Sequence, residues 1–330
     1  MALKADTARE YRKKHGKEMP TLKLARIMYS ENKKLFKHIE DARGSLKYIE
    51  GKSGKTNRKK VQGSEFVIEQ ERPKNPYKLP ESGETKWEPY RITGKKVGIL
   101  SDIHIPYHSV HALTIAIGHL KKEKVDTVLL NGDTLDFYGL SRFSKDPRKR
   151  DFKYELDSFK AFMEVLEREL KCKIYFKVGN HERRYEAYLT EKAKELIGVE
   201  EFEFENILKA RARGIEIIGD KTIMKLNALN GIHGHEYIGG ISAPVNIARG
   251  LYLKGKVSAF QGHNHATSSH TETDMNGKVT TTYSIGCLCE LHPAYMPLNK
   301  WNWGFAIVNL DTNGENYEFI NHTIYKDKVY

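Results

Sequence analysis

Three short apolar runs set the rhythm of the chain. Residues 96–100 (KVGIL), 127–130 (TVLL) and 174–178 (IYFKV) are rich in β-branched, aliphatic and aromatic side chains, and amphipathic helical stretches separate them. This βαβ rhythm predicts an α/β fold. Later runs at 215–226, 257–261, 280–288 and 305–310 lack long helices between them and predict a second sheet, so two sheets flanked by helices are expected. Upstream the period changes. Residues 8–15 and 21–30 have helical composition, with Leu22, Leu24, Ile27 and Met28 forming an apolar stripe, and Leu35, Phe36, Ile39, Leu46, Tyr48 and Ile49 predict a third helix. Pro20 followed by Thr21 reads as a helix start. A Gly/Ser/Lys-rich stretch at 51–63 and a proline-dotted one at 73–89 follow. The expected organisation is a helical module at 1–60, a linker at 61–95 carrying a short strand at 65–68, and a main domain at 96–330.

The polar positions that interrupt this pattern carry the chemistry. Asp102-Ile103-His104, Gly132-Asp133, Gly179-Asn180-His181-Glu182, His233-Gly234 and Gly262-His263-Asn264-His265 each follow a strand-like run. Aspartate, asparagine and histidine are the oxygen and imidazole donors that borderline divalent cations accept. In open α/β sheets the ligand site lies beyond the carboxyl ends of the strands, where Asp102, Asp133 and Asn180 fall. Distant loops are thus expected to converge on one metal centre.

In order and spacing these five groups resemble the calcineurin-like metallophosphoesterase superfamily, whose pattern is D-x-H, G-D, G-N-H-[DE], H and G-H-x-H; the resemblance spans about 96 to 310. It implies a four-layer αββα sandwich, preceded here by the small N-terminal helical module. It also implies two divalent cations, manganese first among manganese, iron, zinc and nickel. Paired cations can clamp the attacking and leaving oxygens of an in-line displacement and acidify the water between them. By similarity, Asp133 bridges the two ions, Asp102, His104 and His265 complete one, and Asn180, His233 and His263 complete the other. His181 resembles the family's general acid, a role suited to an imidazole whose ordinary pKa is near neutrality. Asp136, three positions after the bridge, is the candidate that orients His181, with Glu182 as the weaker alternative.

Departures narrow the field. Purple acid phosphatases of the same superfamily carry a tyrosine ligand where this chain has Asp136, and the serine/threonine protein phosphatases have an arginine where it has Phe137. The terminal G-H-x-H is closer to nucleases and to cyclic-nucleotide or other phosphodiesterases. Around the centre, Arg183, Arg184, His108 and His235 are the candidate substrate contacts, because guanidinium groups bind phosphate oxygens bidentately. Arg142 and the basic cluster at 145–150 read as a solvated rim loop, and the remaining histidines carry no motif.

Charge adds a partner. Residues 1–60 hold eighteen Lys/Arg against seven Asp/Glu, which is +11 of the chain's formal +12. Such asymmetry points to a polyanion, and nucleic acid bound through 1–60 is the expected partner, with a helix-turn-helix-like layout; a solvated arm or an oligomerisation element is the open alternative. The Gly51 to Thr56 stretch lacks the G-x-x-x-x-G-K-[ST] spacing of a phosphate-binding loop. No apolar run reaches the roughly 18 residues that span a bilayer, so no membrane partner is expected. Three cysteines cannot build a disulfide framework, and they read as core thiols. A cytoplasmic location is expected, that of the host for a phage-encoded chain, a layout the basic module suggests. The favoured function is a dinuclear phosphodiesterase acting on nucleic acid. The alternatives are a small-molecule phosphatase or cyclic-nucleotide phosphodiesterase, and a nucleic-acid-binding adaptor on an inactive scaffold.

Overall fold

The computed structural model describes residues 2–16, 19–61, 64–67, 77, 79–80, 83, 87–142, 151–241 and 245–330. The basic cluster at 145–150 and the end of the strand expected at 65–68 lie outside them. The chain divides into two compact units, Met1–Glu84 and Thr85–Tyr330.

The first unit holds α1 (Ala2–His15), α2 (Thr21–Glu31), α3 (Ile39–Ile49) and the short α4 (Lys55–Lys60). Helix α2 begins at Thr21, directly after Pro20. Its stripe is narrower than expected: Leu24 and Met28 are buried, Ile27 is half-buried and Leu22 is exposed. These residues pack with Ala8, Phe36, Ala42, Leu46 and Ile49. Phe66 joins that core, and residues 64–67 form a turn where a strand was expected. Arg12 and Glu50 are fully buried and pair with each other. Arg12 also donates to the carbonyls of Gly16 and Met19, and Glu50 accepts from Thr21 Oγ1 at 2.9 Å. Buried charges persist only with such complete pairing.

In the second unit, β2 (Lys96–Leu100), β3 (Thr127–Asn131), β4 (Lys173–Lys177) and β5 (Glu216–Ile218) run parallel, and β11 (Gly304–Leu310), β12 (Tyr317–Tyr325) and β13 (Lys328–Val329) extend the β2 edge antiparallel. The second sheet comprises β1 (Tyr90–Arg91), β6 (Met224–Leu226), β7 (Leu229–Gly231), β8 (Ala259–Gln261), β9 (Ser268–Thr273) and β10 (Val279–Ser284), in the order β1-β6-β7-β8-β10-β9. The run at 215–226 therefore splits between the sheets, and 305–310 belongs to the first sheet rather than the second. Periodicity announces a strand but does not choose its partner.

Side-chain alternation builds the layers. Val97, Ile99, Leu129 and Tyr175 face the second sheet and pack on Met224, Leu226, Leu229 and Phe260. Leu100, Val128, Leu130, Ile174 and Phe176 face the other way, onto α5 (Val110–Lys122) and α6 (Phe152–Leu170). On the outer side of the second sheet, α7 (Ile247–Gly255) buries Leu251 against Ile232 and Ala259. The result is the four-layer αββα sandwich. Leu100 is level with Leu130, and Leu130 with Phe176, so the loops leaving β2, β3 and β4 emerge side by side. Among the described residues no helix is long and apolar enough to cross a membrane.

Candidate metal centre

Each predicted ligand leaves the end of a strand: Asp102 two residues after β2, Asp133 two after β3, Asn180 three after β4, His233 two after β7 and His263 two after β8. Five of the seven, Asp102, His104, Asp133, His263 and His265, have φ between 48° and 65°. This left-handed region is sparsely used by residues other than glycine, and positions held there cluster at functional sites. Their backbones turn sharply inward, and the glycines beside them leave room. A Cβ on Gly179 would land on the Asp133 carboxylate and backbone nitrogen, and one on Gly262 would strike Ser101 and Asp102.

The donors converge on two adjoining points. His104 Nε2 and His265 Nε2 lie 3.2 Å apart, and His265 Nε2 is 3.2 Å from Asp102 Oδ1. His233 Nε2 is 3.2 Å from Asn180 Oδ1 and 3.2 Å from Asp133 Oδ2, with the His263 ring 5.2 Å from the His233 ring, centroid to centroid. Asp133 Oδ2 also stands 3.9 Å from His104 Nε2, which puts it between the two groups as a bridge. Spacings near 3 Å suit donors that share a cation about 2 Å from each. Two imidazole nitrogens facing each other at that distance have no stable arrangement without a proton or a cation between them. The donor set therefore fits two divalent ions, one on Asp102, His104, His265 and Asp133, the other on Asp133, Asn180, His233 and His263.

The outer nitrogens fix the rings. His233 Nδ1 donates to the Asn131 carbonyl at 2.7 Å and His104 Nδ1 donates to Asp136 Oδ2 at 3.1 Å, so each ring turns Nε2 inward. Burial, then the nearby His181, pushes the His104 pKa down, and burial pushes that of His263 to about 4, leaving both neutral as ligands must be. For His233 burial is outweighed by Asp133 and Asp102, which raise it to about 10; a bound cation takes the place of that proton.

His181 lies beside the bridge. Its backbone nitrogen donates to Asp133 Oδ1 at 2.9 Å, and its Nδ1 is 3.0 Å from the Asp136 carbonyl and 3.2 Å from Asp136 Oδ2. Despite burial, Asp133 and Asp136 raise the His181 pKa. Asp136 thus reaches both His181 and His104, and hydrogen bonds from these rings hold its carboxyl well below the usual range against the effect of burial. Glu182 does something else. Buried, it accepts from the backbone nitrogens of Gly179 (2.8 Å), Asp133 (3.0 Å) and Leu135 (3.0 Å), tying the β3 and β4 loops together instead of orienting His181. Glu236, paired with the buried Lys177 at 3.3 Å, accepts from the nitrogens of His233 (2.9 Å) and Gly234 (2.6 Å) in the same way. Glu182 has no local sequence signal because the Asp133 and Leu135 nitrogens come from another loop, whereas Glu236 serves the backbone of its own loop and draws only Lys177 from elsewhere.

The candidate substrate contacts separate. Arg184 points inward, donating to the Asp136 carbonyl at 2.7 Å, with Nη2 3.1 Å from His181 Nε2. Arg183 pairs with Asp220 at 3.0 Å, and His235 Nε2 meets the same carboxylate at 2.7 Å on the rim. His108 forms a backbone bridge with Cys289 and is among the residues lining a cavity of about 680 Å³ between α5 and α6, with Leu113 and Phe162. Cys287 and Cys289 are buried beyond the end of β10, and Cys289 Sγ lies 3.9 Å from His265 Nδ1; Cys172 is only half-buried.

Glu155 from α6 supports the site from behind, accepting from the Phe137 nitrogen just after Asp136. Burial pushes its pKa to about 8. The unfolded chain ionises this group near 4.5 while the fold keeps it protonated, so its contribution to stability is complete below pH 4.5 and is lost as pH rises through 8. Glu155→Gln should therefore gain stability relative to the wild type across that window, as read by paired thermal melts. Parallel curves would show that the buried carboxyl is not held neutral.

Residues 95–279, more than half of the chain, match the family model described as calcineurin-like phosphoesterase. The gene 54 protein of Mycobacterium phage L5 is 27% identical over 231 residues, covering 66% of this chain and 89% of that protein. Among solved structures, a dimetal phosphatase from Danio rerio aligns over 69% of this chain and 99% of its own at 11% identity and a TM-score of 0.32. Vps29 from Entamoeba histolytica, complexed with zinc, aligns over 71% and 96% at 12% identity and a TM-score of 0.39.

Proposed function

The chain belongs to the calcineurin-like phosphoesterase family, and from that premise we propose that its metal centre hydrolyses phosphodiester bonds, with nucleic acid as the substrate and manganese as the working ion. The observation that carries the hydrolytic reading is the convergence of seven donor residues on two adjoining points with Asp133 Oδ2 between them, and with His181 and Arg184 beside it. When bound, the paired cations supply charge for the attacking and leaving oxygens. The chain's own residues do the rest. Asp133 joins the two halves and Asn180 completes one of them, Asp136 keeps the His181 ring turned to the bridge, and Arg184 is close enough to transfer its guanidinium from His181 to a phosphoryl oxygen.

The nucleic-acid reading draws on the first unit. Lys33, Lys34 and Lys37 on the turn before α3, and Lys55, Arg58, Lys59 and Lys60 along α4, are all exposed. Cations arrayed this way suit phosphate backbones, whose release of counterions makes binding steeply salt-dependent. Affinity for single-stranded DNA should fall by roughly 10³ between about 50 and 200 mM salt if six or more of these cations touch phosphates. A nearly flat salt response would remove the unit from binding. The substrate is settled by incubating the manganese-loaded protein with single- and double-stranded DNA, RNA, cyclic nucleotides and nucleoside monophosphates. Whichever is cleaved by the wild type and spared by Asp133→Asn defines the class, and cleavage of monophosphates alone would overturn the diesterase reading.

A further inference from the structure

Between Cys289 and β11 the chain makes a long loop against the His265 side of the metal centre, and its apolar side chains are turned outward. Tyr295 is 73% exposed and Leu298 93% exposed. The Tyr295 ring stands edge-on to Trp301 with centroids 6.4 Å apart, and the Trp301 ring lies 4.1 Å from that of His265. A chain of ring contacts thus runs from a metal ligand to solvent.

The loop is braced in this shape. Asn299 Nδ2 donates to the carbonyls of Leu291 (2.6 Å) and Met296 (2.8 Å), and Asn299 Oδ1 accepts from the Trp301 nitrogen at 2.9 Å. Asn302 ties the far end down, donating from its backbone to the His265 carbonyl at 2.9 Å and accepting from the Thr267 nitrogen at 2.8 Å. The near end is held where the Glu290 nitrogen meets the Tyr107 carbonyl at 2.9 Å. Rings held in place by backbone hydrogen bonds lose little freedom when a partner stacks on them, and exposed aromatic surface is otherwise unfavourable beside so charged a centre.

We propose that Tyr295 and Trp301 form a stacking subsite for an unpaired nucleobase attached to the scissile phosphate. This rests on the phosphoesterase reading of the metal centre, because it is the phosphate held there that brings a flanking group onto the rings. A flat heterocycle matches an exposed aromatic face, and stacking of one base is worth about 1–3 kcal/mol without regard to sequence. A base inside a duplex has both faces covered and must first be extruded. The subsite therefore selects single-stranded chains.

The test is titration calorimetry on the full-length manganese-loaded protein with two tetramers, one of thymidylate and one with abasic tetrahydrofuran residues, both carrying hydrolysis-resistant phosphorothioate linkages. Their charges are equal, so any contribution of the basic first unit cancels in the ratio. The wild type should prefer the thymidylate roughly tenfold, Tyr295→Phe should keep that preference, and Tyr295→Ala should cut it to about threefold or less. A wild type without preference, or a Tyr295→Ala variant that retains it, overturns the proposal. Hydrolysis of bis(4-nitrophenyl) phosphate by the wild type is read separately; its absence would sink the phosphodiesterase reading and leave the binding ratio to judge the subsite by itself.

Discussion

Asp133→Asn should lower kcat/KM for bis(4-nitrophenyl) phosphate with manganese by about 10³ or more, equivalent to roughly 4 kcal/mol of transition-state stabilisation. The size of the effect follows from what each oxygen of this carboxylate does. Oδ1 accepts from the His181 nitrogen at 2.9 Å, and an asparagine carbonyl can take over that bond. Its amide NH₂ then occupies the place of Oδ2, 3.2 Å from His233 Nε2, 3.8 Å from His181 Nε2 and 3.9 Å from His104 Nε2. An NH₂ group is a donor only and cannot ligate a cation. Both halves of the centre lose their shared anion, and without metal the buried His233 also loses the carboxylate that faces it at 3.2 Å, so the metal-free variant should melt below the wild type although size and shape are kept. Since a ligand that binds only the folded state stabilises it, manganese should raise the melting temperature of the wild type and much less that of the variant. A variant with undiminished hydrolysis would contradict the bridging role.

Legibility from sequence divided along a physical line. Donor identity and strand-end placement are local properties, so Asp102, His104, Asp133, Asn180, His233, His263 and His265 could be named as ligands from five short motifs, and the structure brings all seven together. What supports them is not local. Glu182 follows His181 directly, yet its oxygens serve the backbone of Asp133 and Leu135 on another loop. Glu236 and Lys177 form a pair from two elements that periodicity assigns only as a loop and a strand. Glu182 matters because Asp133, like four other candidate ligands, occupies left-handed backbone, a conformation costing of the order of 1–3 kcal/mol per residue that persists only when neighbours enforce it. The same divide explains the sheet assignment. The run at 215–226 reads as strand throughout, but whether β5 joins β4 and β6 joins β7 depends on which face each buries.

His181→Asn should reduce turnover by roughly 10² to 10⁴ for a diester with an alkyl leaving group, such as a dinucleotide, but far less for bis(4-nitrophenyl) phosphate. A nitrophenolate departs without needing a proton, whereas an alkoxide is too basic to leave unaided, so the contrast isolates proton donation from binding. The ring has the required setting. Nδ1 donates to Asp136, and Asp133 and Asp136 together raise the pKa against burial, favouring the imidazolium that carries a proton on Nε2. In the structure Arg184 Nη2 lies 3.1 Å from that same nitrogen, an arrangement that suits a neutral ring and opposes a charged one. On the proposed diesterase reading, an incoming phosphodiester would resolve the conflict: its anionic oxygen would draw the guanidinium away, and the ring would then take up a proton from solvent and hold it facing the leaving oxygen. Substrate binding would thereby arm the acid, and Arg184→Ala should raise KM for both substrates while preserving their ratio of kcat values. If His181→Asn slowed the two substrates equally, the ring would be positioning the β4 loop rather than donating a proton.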